Sequence, residues 1–267
     1  MSHIIFSHAN SFPASTYKVL FKELRGRGYS LKAIEKYGHD PRYPVTNNWP
    51  LVVPQLTEFM QTEVERTGAP VWLVGHSLGG YLSLMAASLK PELTRGVVLM
   101  DSPVLAGWRS TAVGVMKSTQ MMGSVSPGKV SRQRRNSWPS VEEAYAHFRH
   151  KKAFAKWDDQ VLRDYVAHGT LAVDGKRVLS FDRDVETQFY NTVPDNMDKR
   201  LARHPLKCPI TFIGARGSVE IRQVGMAATE KVTKGRIMML DGSHLFPMEK
   251  PLATAAAIEA ALRNMEA

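Results

Sequence analysis

The run VWLVGHSLGG at positions 71–80 sets the strictest limits on how this chain can fold. Its four leading apolar residues indicate a buried strand, and a stretch of helical character follows the glycines. The pattern G-x-S-x-G between a strand and a helix is typical of a nucleophilic serine on a sharp turn. Gly75 and Gly79 suit such a turn because a side chain would collide there with neighbouring backbone. We therefore predict strand, turn and helix, with the Ser77 hydroxyl exposed at the carboxyl edge of a sheet.

Short apolar runs alternate with helical patterns along most of the 267 residues, which indicates a parallel sheet with crossover helices. The predicted strands cover residues 3–7, 30–36, 71–75, 96–100, 209–214 and 235–240. The predicted helices cover residues 16–27, 49–66, 78–89, 219–231 and 251–265. We predict an α/β fold whose mostly parallel sheet has about six strands and is flanked by helices.

This alternation stops between about residues 104 and 206, where the pattern becomes helical. The run SVEE at 140–143 forms a capping box, and Asp158 or Asp159 can begin a further helix. The pair Asp-Gly at 174–175, between two apolar stretches, indicates a small hairpin.

The position of this helical stretch suggests its role. It begins just past the carboxyl end of a predicted strand, where α/β enzymes keep their sites. We interpret residues 105–204 as a helical cap or lid, inserted into a core made of residues 1–104 and 205–267.

Composition is that of an ordinary globular protein, with 43% hydrophobic and 22% charged residues. The single cysteine, Cys208, cannot form an intramolecular disulfide. The first residues lack the basic start and long apolar stretch of a signal peptide, and no apolar run approaches the ~18 residues of a membrane span. We expect a cytoplasmic protein with no integral membrane association, and the sequence leaves its oligomeric state open.

The net charge of +10 is unevenly distributed, because basic residues cluster at 129–135 and 149–152. Nucleic-acid binding is one interpretation of such clusters. No nucleic-acid motif accompanies them, so we interpret them as a solvated basic face and expect no nucleic-acid partner. The role of the cluster near residues 129–135 stays open.

A histidine suited to act as a base lies late in the chain. A serine nucleophile needs a base, an orienting acid and donors for the oxyanion. In hydrolases with such a serine turn, the chain order is serine, acid, histidine. A strand is predicted to end near Leu240, a Gly-Ser turn follows, and His244 precedes the last predicted helix. We therefore predict that His244 accepts the proton of Ser77.

Four motifs together resemble the α/β-hydrolase fold family. The run GHSLGG at 75–80 is similar to the family's nucleophile elbow, and GSH at 242–244 with FPMEKP at 246–251 resembles its terminal histidine loop. The run SHANSFP at 7–13 resembles the His-Gly-x loop after the third family strand, and YGHD at 37–40 the Gly-His-Gly loop after the fourth. The resemblance implies that the chain starts at the third family strand, and that the unmatched cap is inserted after the sixth.

The resemblance also implies an oxyanion hole. Its donors would be the N–H of Leu78, directly after the nucleophile, and the N–H of Asn10. Ala9 stands where the family usually has glycine, so Asn10 and Ser11 both stay open as the second donor. We interpret His8 as hydrogen-bonded within its own loop, without a role in proton transfer.

The acid departs from the family's pattern. The family usually carries Gly-x-x-Asp just past the seventh strand, whereas this chain has GARGSVE at 214–220. The candidates are Asp101, at the end of the preceding strand, and Glu220, in the first turn of a predicted helix. Either carboxylate could instead be structural, as a strand cap or as a partner of the helix dipole. We favour Asp101, because the strand end beside the nucleophile strand is rigid and close.

These residues and the resemblance predict a serine hydrolase that cleaves a small, apolar carboxylic ester or thioester through an acyl-enzyme on Ser77. No cluster has metal-ligand spacing, and we expect neither metal nor cofactor. A carbon–carbon bond hydrolase of the same fold would use the same serine and histidine, and a non-catalytic ligand-binding protein could retain both. Large side chains of the insert could line an acyl pocket or pack the cap onto the core: Trp108, Met116, Met121, Met122, Trp138 and Trp157.

Overall fold

The computed structural model describes residues 2–119 and 127–266. Its strands are β1 (His3–Ser7), β2 (Ser30–Ala33), β3 (Val71–His76), β4 (Thr94–Met100), β5 (Ser137–Trp138), β6 (Thr170–Val173), β7 (Lys176–Leu179), β8 (Ile210–Ala215) and β9 (Ile237–Leu240). Six of them form one sheet in the order β2-β1-β3-β4-β8-β9, with every neighbouring pair parallel. The predicted six-stranded parallel sheet is confirmed.

Helices connect these strands. In the described residues they are α1 (Lys18–Gly26), α2 (Val53–Thr67), α3 (Leu78–Leu89), α4 (Gly107–Ser118), α5 (Gly128–Gln133), α6 (Val141–Arg149), α7 (Asp159–His168), α8 (Arg183–Asn191), α9 (Met197–Arg203), α10 (Val219–Val224), α11 (Ala227–Thr233), α12 (Phe246–Glu249) and α13 (Pro251–Glu266). Within these ranges no helix combines the length and the apolar character needed to cross a membrane.

Three predicted boundaries were wrong, each for a local reason. The helix predicted at 219–231 is two helices, α10 and α11, because the backbone turns at Gly225, where φ is 77°. The helix predicted from residue 49 begins at Val53, since Trp49 has a φ of 57°, which no α-helix contains. Strand β2 ends before residue 36, because the Glu35 carbonyl accepts the N–H of Ala14 at 3.0 Å instead of extending the ladder to β1.

The sheet is buried on both faces, as expected when helices cover a parallel sheet. Successive side chains of β1 point to opposite faces, so Ile4 and Phe6 pack in one apolar cluster and Ile5 in the other. Helices α1 and α13 contribute to the first cluster, and α2 and α3 contribute to the second. Because buried apolar side chains cover both faces, the carboxyl ends of the strands form an edge that is held in place from either side.

The chain between β4 and β8 carries α4 to α9 and a three-stranded antiparallel sheet, β5-β7-β6. The Ser140 side chain accepts the N–H of Glu143, and Asp158 caps α7, as the sequence predicted. Asp174 and Gly175 both have positive φ, 47° and 72°, and form the predicted turn between β6 and β7.

Two of the six large insert side chains pack in the interior. Trp138 and Trp157 are buried in an aromatic cluster, and the Trp157 ring lies 5.4 Å from that of Phe12, in the loop after β1. Trp108 is 72% exposed. Met121 and Met122 lie outside the described residues. The structure therefore favours packing as the role of Trp138 and Trp157.

Candidate active site

Ser77 lies on a strained turn between β3 and α3. Its φ of 53° and ψ of −115° belong to a region that non-glycine residues rarely occupy. Two hydrogen bonds hold this backbone: the Ser77 N–H donates to the Met100 carbonyl at 2.9 Å, and the Ser77 carbonyl accepts the Ser102 hydroxyl at 2.8 Å. A Cβ on Gly79 would lie 2.0 Å from the Ser7 carbonyl oxygen, so the turn requires glycine there.

Asp101 directly follows β4 and contacts the ring of His244. Its Oδ2 accepts a hydrogen bond from His244 Nδ1 at 2.7 Å and another from the Ser218 hydroxyl at 2.5 Å. Its Oδ1 accepts the N–H of Ala215 at 2.9 Å. Asp101 is only 1% exposed, and its φ of 45° turns the carboxylate from the end of β4 toward the loop after β9. Two donors, the Ser218 hydroxyl and the Ala215 N–H, therefore hold this buried carboxylate against the imidazole.

Glu220 is also near the imidazole but does not hydrogen-bond to it. Its Oε2 lies 3.6 Å from His244 Nδ1, and its side chain is 42% exposed, in the first turn of α10. The Ser218 hydroxyl lies 3.2 Å from Glu220 Oε2, longer than its 2.5 Å contact with Asp101. The geometry thus places Asp101 in direct contact with the ring and Glu220 as a second, more solvated negative charge.

Burial and the neighbouring carboxylates have opposite effects on the pKa of His244. Burial by itself would lower that pKa, because it penalises the charged ring. The hydrogen bond to Asp101 and the negative charges of Glu220 and Asp101 outweigh burial, so the pKa of His244 is raised above its ordinary value. The charged form of this ring is therefore stabilised by its surroundings.

A pH profile of the Glu220→Gln variant tests this balance. Protonated His244 cannot accept a proton, so activity should fall as the pH drops through its pKa. Because the variant lacks one negative charge near the ring, we expect the acid limb of kcat/KM to move to lower pH than in the wild type. The basic limb should not move. An acid limb at unchanged pH would show that Glu220 does not raise the pKa of His244.

His76 and Tyr17 connect two loops of the site, and sequence reasoning missed both. His76 Nε2 donates to the main-chain carbonyl of His244 at 2.8 Å. The Tyr17 hydroxyl donates to His76 Nδ1 at 2.7 Å and accepts the N–H of Ala9 at 3.1 Å. Burial and the nearby His244 hold the pKa of His76 well below its ordinary value, so its ring is neutral. The loop after β1 and the loop of His244 are therefore joined through one buried imidazole.

The loop after β1 carries the candidate oxyanion donor Asn10, which lines the same cavity as Ser77 and Leu78. His8 is fully buried, donates from Nδ1 to the Ala9 carbonyl at 2.8 Å and accepts the Tyr37 N–H at Nε2 at 3.0 Å. Burial lowers the pKa of His8 to about 4, so its ring stays neutral. This arrangement agrees with a structural role for His8.

The cavity beside Ser77 has a volume of about 250 Å³ and mostly apolar walls. His244, Asp101 and Glu220 line one part of it. The apolar walls include Trp49, Leu78, Tyr81, Phe189, Tyr190 and Val193. No lysine or arginine lines this cavity among the described residues, and the sequence of 120–126 contains none. Apart from His244, the charged side chains that line it in the described part of the chain are therefore Asp101 and Glu220.

The same three titratable side chains are the group that could hold a metal ion in the described part of the chain. The ligand atoms of Asp101, Glu220 and His244 lie within 4.8 Å of one another. The Nδ1–H of His244 is already donated to Asp101, so an ion would have to displace this proton. The arrangement as it stands is suited to orienting the imidazole.

Part of the chain resembles curated lipases. The monoglyceride lipases of Mus musculus and Homo sapiens are each 25% identical to this chain over 128 residues. The match spans 46% of this chain and only 42% of either relative.

Solved structures show the same fold. E-2-(acetamidomethylene)succinate hydrolase superposes with a TM-score of 0.74 at 19% identity, over 98% of this chain and 91% of that one. The thioesterase domain of the curacin biosynthetic pathway also has a TM-score of 0.74 at 19% identity, over 97% and 91%. An M. tuberculosis esterase has a TM-score of 0.66 at 20% identity, over 98% and 85%. The sequence profile of the alpha/beta hydrolase family matches residues 4–257, nearly the whole chain, and the protein therefore belongs to that family.

Proposed function

We propose that this protein is a serine hydrolase that cleaves a carboxylic ester or thioester through an acyl-enzyme on Ser77. One observation carries the proposal: the imidazole of His244 is hydrogen-bonded to a buried carboxylate at 2.7 Å and lines the same cavity as a serine on a strained turn. These are the three groups that nucleophilic acyl transfer requires.

Each of these groups has a role in the proposed reaction. Because His244 Nδ1 carries its proton toward Asp101, the other ring nitrogen, Nε2, is free to accept the proton of Ser77. The serine oxygen then adds to the acyl carbon, and the N–H groups of Leu78 and Asn10 are the proposed donors to the oxyanion. His244 returns the proton to the leaving alcohol or thiol, and a water molecule, activated in the same way, releases the acid.

The cavity supports a small, uncharged acyl substrate. Its walls are largely apolar and its volume is about 250 Å³, which suits a compact ligand. Asp101 and Glu220 give it negative charge without a lysine or arginine among the described lining residues, which disfavours an acid-bearing substrate. The esterase, thioesterase and lipase among the similar proteins agree with this reaction class.

We further propose that residues 105–204 form a cap over this cavity. Phe189, Tyr190 and Val193 come from that stretch and line the cavity together with Ser77 and Leu78 of the core. The cap would then determine which acyl groups fit, while the core performs the chemistry.

A covalent probe and a substrate panel test the proposal. A fluorophosphonate should label the wild type once, and Ser77→Ala should abolish labelling. A panel of p-nitrophenyl esters of increasing acyl length should show turnover that is highest for the shorter neutral chains. A hemisuccinate ester of matched length should have a lower kcat/KM, because its free carboxylate meets the negative charge of the cavity. A well-folded wild type that is not labelled and does not turn over would contradict the proposal and favour a ligand-binding role.

A further inference from the structure

Glu186 of α8 binds two successive residues of the loop after β1. Its carboxylate oxygen Oε1 accepts the hydroxyl of Ser11 at 2.5 Å, and its main-chain carbonyl accepts the side-chain amide of Asn10 at 3.0 Å. Asn10 and Ser11 are also the two residues whose N–H groups are candidates for the second oxyanion donor. One residue of the insert therefore holds the segment on which the proposed chemistry depends.

The Glu186 carboxylate is buried and forms an ion pair with Arg134, and Arg183 is a second positive charge near it. Glu186 is 4% exposed, and its Oε2 lies 2.6 Å from Arg134 Nη2. Burial raises the pKa of Glu186, while the positive charge of Arg134 and the hydrogen bond from Ser11 act against this rise. Arg134 belongs to the basic cluster at 129–135, so at least one member of that cluster points inward to an acid and is not part of a solvated face.

The loop needs such an anchor, because its backbone is strained. Ser11 has a φ of 77°, in the left-handed region that favours glycine. A non-glycine residue keeps this strained backbone conformation only where the surrounding structure restrains it. The hydrogen bond from the Ser11 hydroxyl to Glu186 supplies one such restraint, and the Asn10 amide supplies a second beside it.

Stability alone is a poor reason to bury this pair. Replacing a buried ion pair by apolar residues of similar volume is often neutral or stabilising, because the desolvation penalty of two charges is large. An apolar pair, however, could not accept the Ser11 hydroxyl. The charged pair provides a fixed hydrogen-bond acceptor for the loop after β1, which an apolar pair would not. Because this loop carries Asn10 and Ser11, we call it the oxyanion loop.

We propose that Glu186, held by Arg134, is a positioning residue that sets the oxyanion loop in its productive geometry. The proposal rests on the proposed function, because it concerns the transition state of that reaction. Glu186 acts through Ser11 and Asn10. Its loss should therefore weaken binding of the transition state more than binding of the substrate.

Glu186→Ala, Ser11→Ala and Glu186→Gln test this proposal. Ser11→Ala leaves the Arg134 ion pair intact and is informative even if Glu186→Ala does not fold. The Glu186→Gln variant keeps an amide oxygen that can accept the Ser11 hydroxyl, so it is the conservative rescue. The control is Gln188→Ala, an exposed position on the same helix. For each variant, kcat and KM are measured per serine titrated with the fluorophosphonate, together with Ki for a trifluoromethyl ketone that forms a tetrahedral adduct.

Removing one oxyanion donor outright typically lowers kcat about 100- to 1000-fold. Displacing the donor without removing it should have a smaller effect, a decrease in kcat of about 10-fold or more. We therefore expect Glu186→Ala and Ser11→Ala to lower kcat at least ~10-fold, with KM changed less than about twofold and Ki raised by the factor by which kcat/KM falls. Glu186→Gln should recover most of kcat, and Gln188→Ala should match the wild type.

Two results would overturn the proposal. If Glu186→Ala or Ser11→Ala lowers the melting temperature but leaves kcat and Ki per titrated serine at wild-type values, Glu186 is a structural residue only. If the wild type is neither labelled nor active, the proposed function fails and this inference fails with it. The wild-type control distinguishes these two cases.

Discussion

The His244→Ala variant should lose nearly all turnover, with kcat lower by about a millionfold, as is typical when the base of a serine triad is removed. The ring is hydrogen-bonded to Asp101 at Nδ1, and in the described residues the other hydrogen-bond partners of that carboxylate are the Ser218 hydroxyl and the Ala215 N–H. Without the ring, Ser77 keeps its proton at neutral pH and is a weak nucleophile. The measurement is the single-turnover rate on a p-nitrophenyl ester, compared with hydrolysis in buffer alone.

The double variant Ser77→Ala/His244→Ala provides the matched control. Because the two side chains act as one unit, the double variant should be about as slow as either single variant, and not slower by the product of the two effects. The ring of His76 donates to the main-chain carbonyl of residue 244, and this contact does not need the His244 side chain. The fold should therefore persist, as a melting curve can check. Near-normal turnover by His244→Ala would remove His244 from the proposed mechanism.

The Asp101→Asn variant should lower kcat by about 10⁴-fold with little change in KM, by analogy with the same exchange in serine-protease triads. The carboxylate accepts the Nδ1 proton of His244, the Ser218 hydroxyl and the Ala215 N–H, all within 2.9 Å. An asparagine amide facing the ring would donate to Nδ1 and drive the ring proton to Nε2. The imidazole would then be the tautomer that cannot accept a proton from Ser77.

Glu220→Gln is the comparison for this prediction, under identical conditions. Glu220 lies 3.6 Å from His244 Nδ1 and is 42% exposed, so it does not determine the tautomer. We expect only a small loss of kcat at the pH optimum. If Glu220→Gln were the inactive variant and Asp101→Asn were normal, the two carboxylates would have the opposite roles. If both remained active, the reaction would proceed with a serine–histidine pair.

The sequence predicted correctly those elements that are formed by residues close together in the chain. The serine turn could be predicted because Gly75 permits the close approach of β3 to α3 and Gly79 that of α3 to β1, and the spacing of these glycines is visible in the chain. The N-terminal capping residue of α6 and the turn at 174–175 could be predicted for the same reason, because the interacting groups are at most three residues apart. The break at Gly225 carried a signal too, since an isolated glycine stood inside the predicted helix.

The contacts that build the candidate site join residues far apart in the chain, and no sequence pattern indicates which residues will be partners. Glu186 lies 175 residues from Ser11, and the sequence showed Arg134 only as one member of a basic cluster. Tyr17 had no feature that separated it from an ordinary core tyrosine, although its hydroxyl bonds to His76. Burial selects these partners, because a polar group removed from water must find whatever partner the packing brings near.

The parallel sheet, the serine turn and the loop of His244 could be predicted from the sequence, since apolar periodicity and glycine spacing specify local backbone structure. The sequence left two carboxylates as alternatives for the contact with His244. Only the tertiary structure distinguished them, at 2.7 Å for Asp101 and 3.6 Å for Glu220. The physical reason is that the ends of β4, β8 and β9 meet at one edge of the sheet, and the distances across that edge depend on packing between elements more than a hundred residues apart.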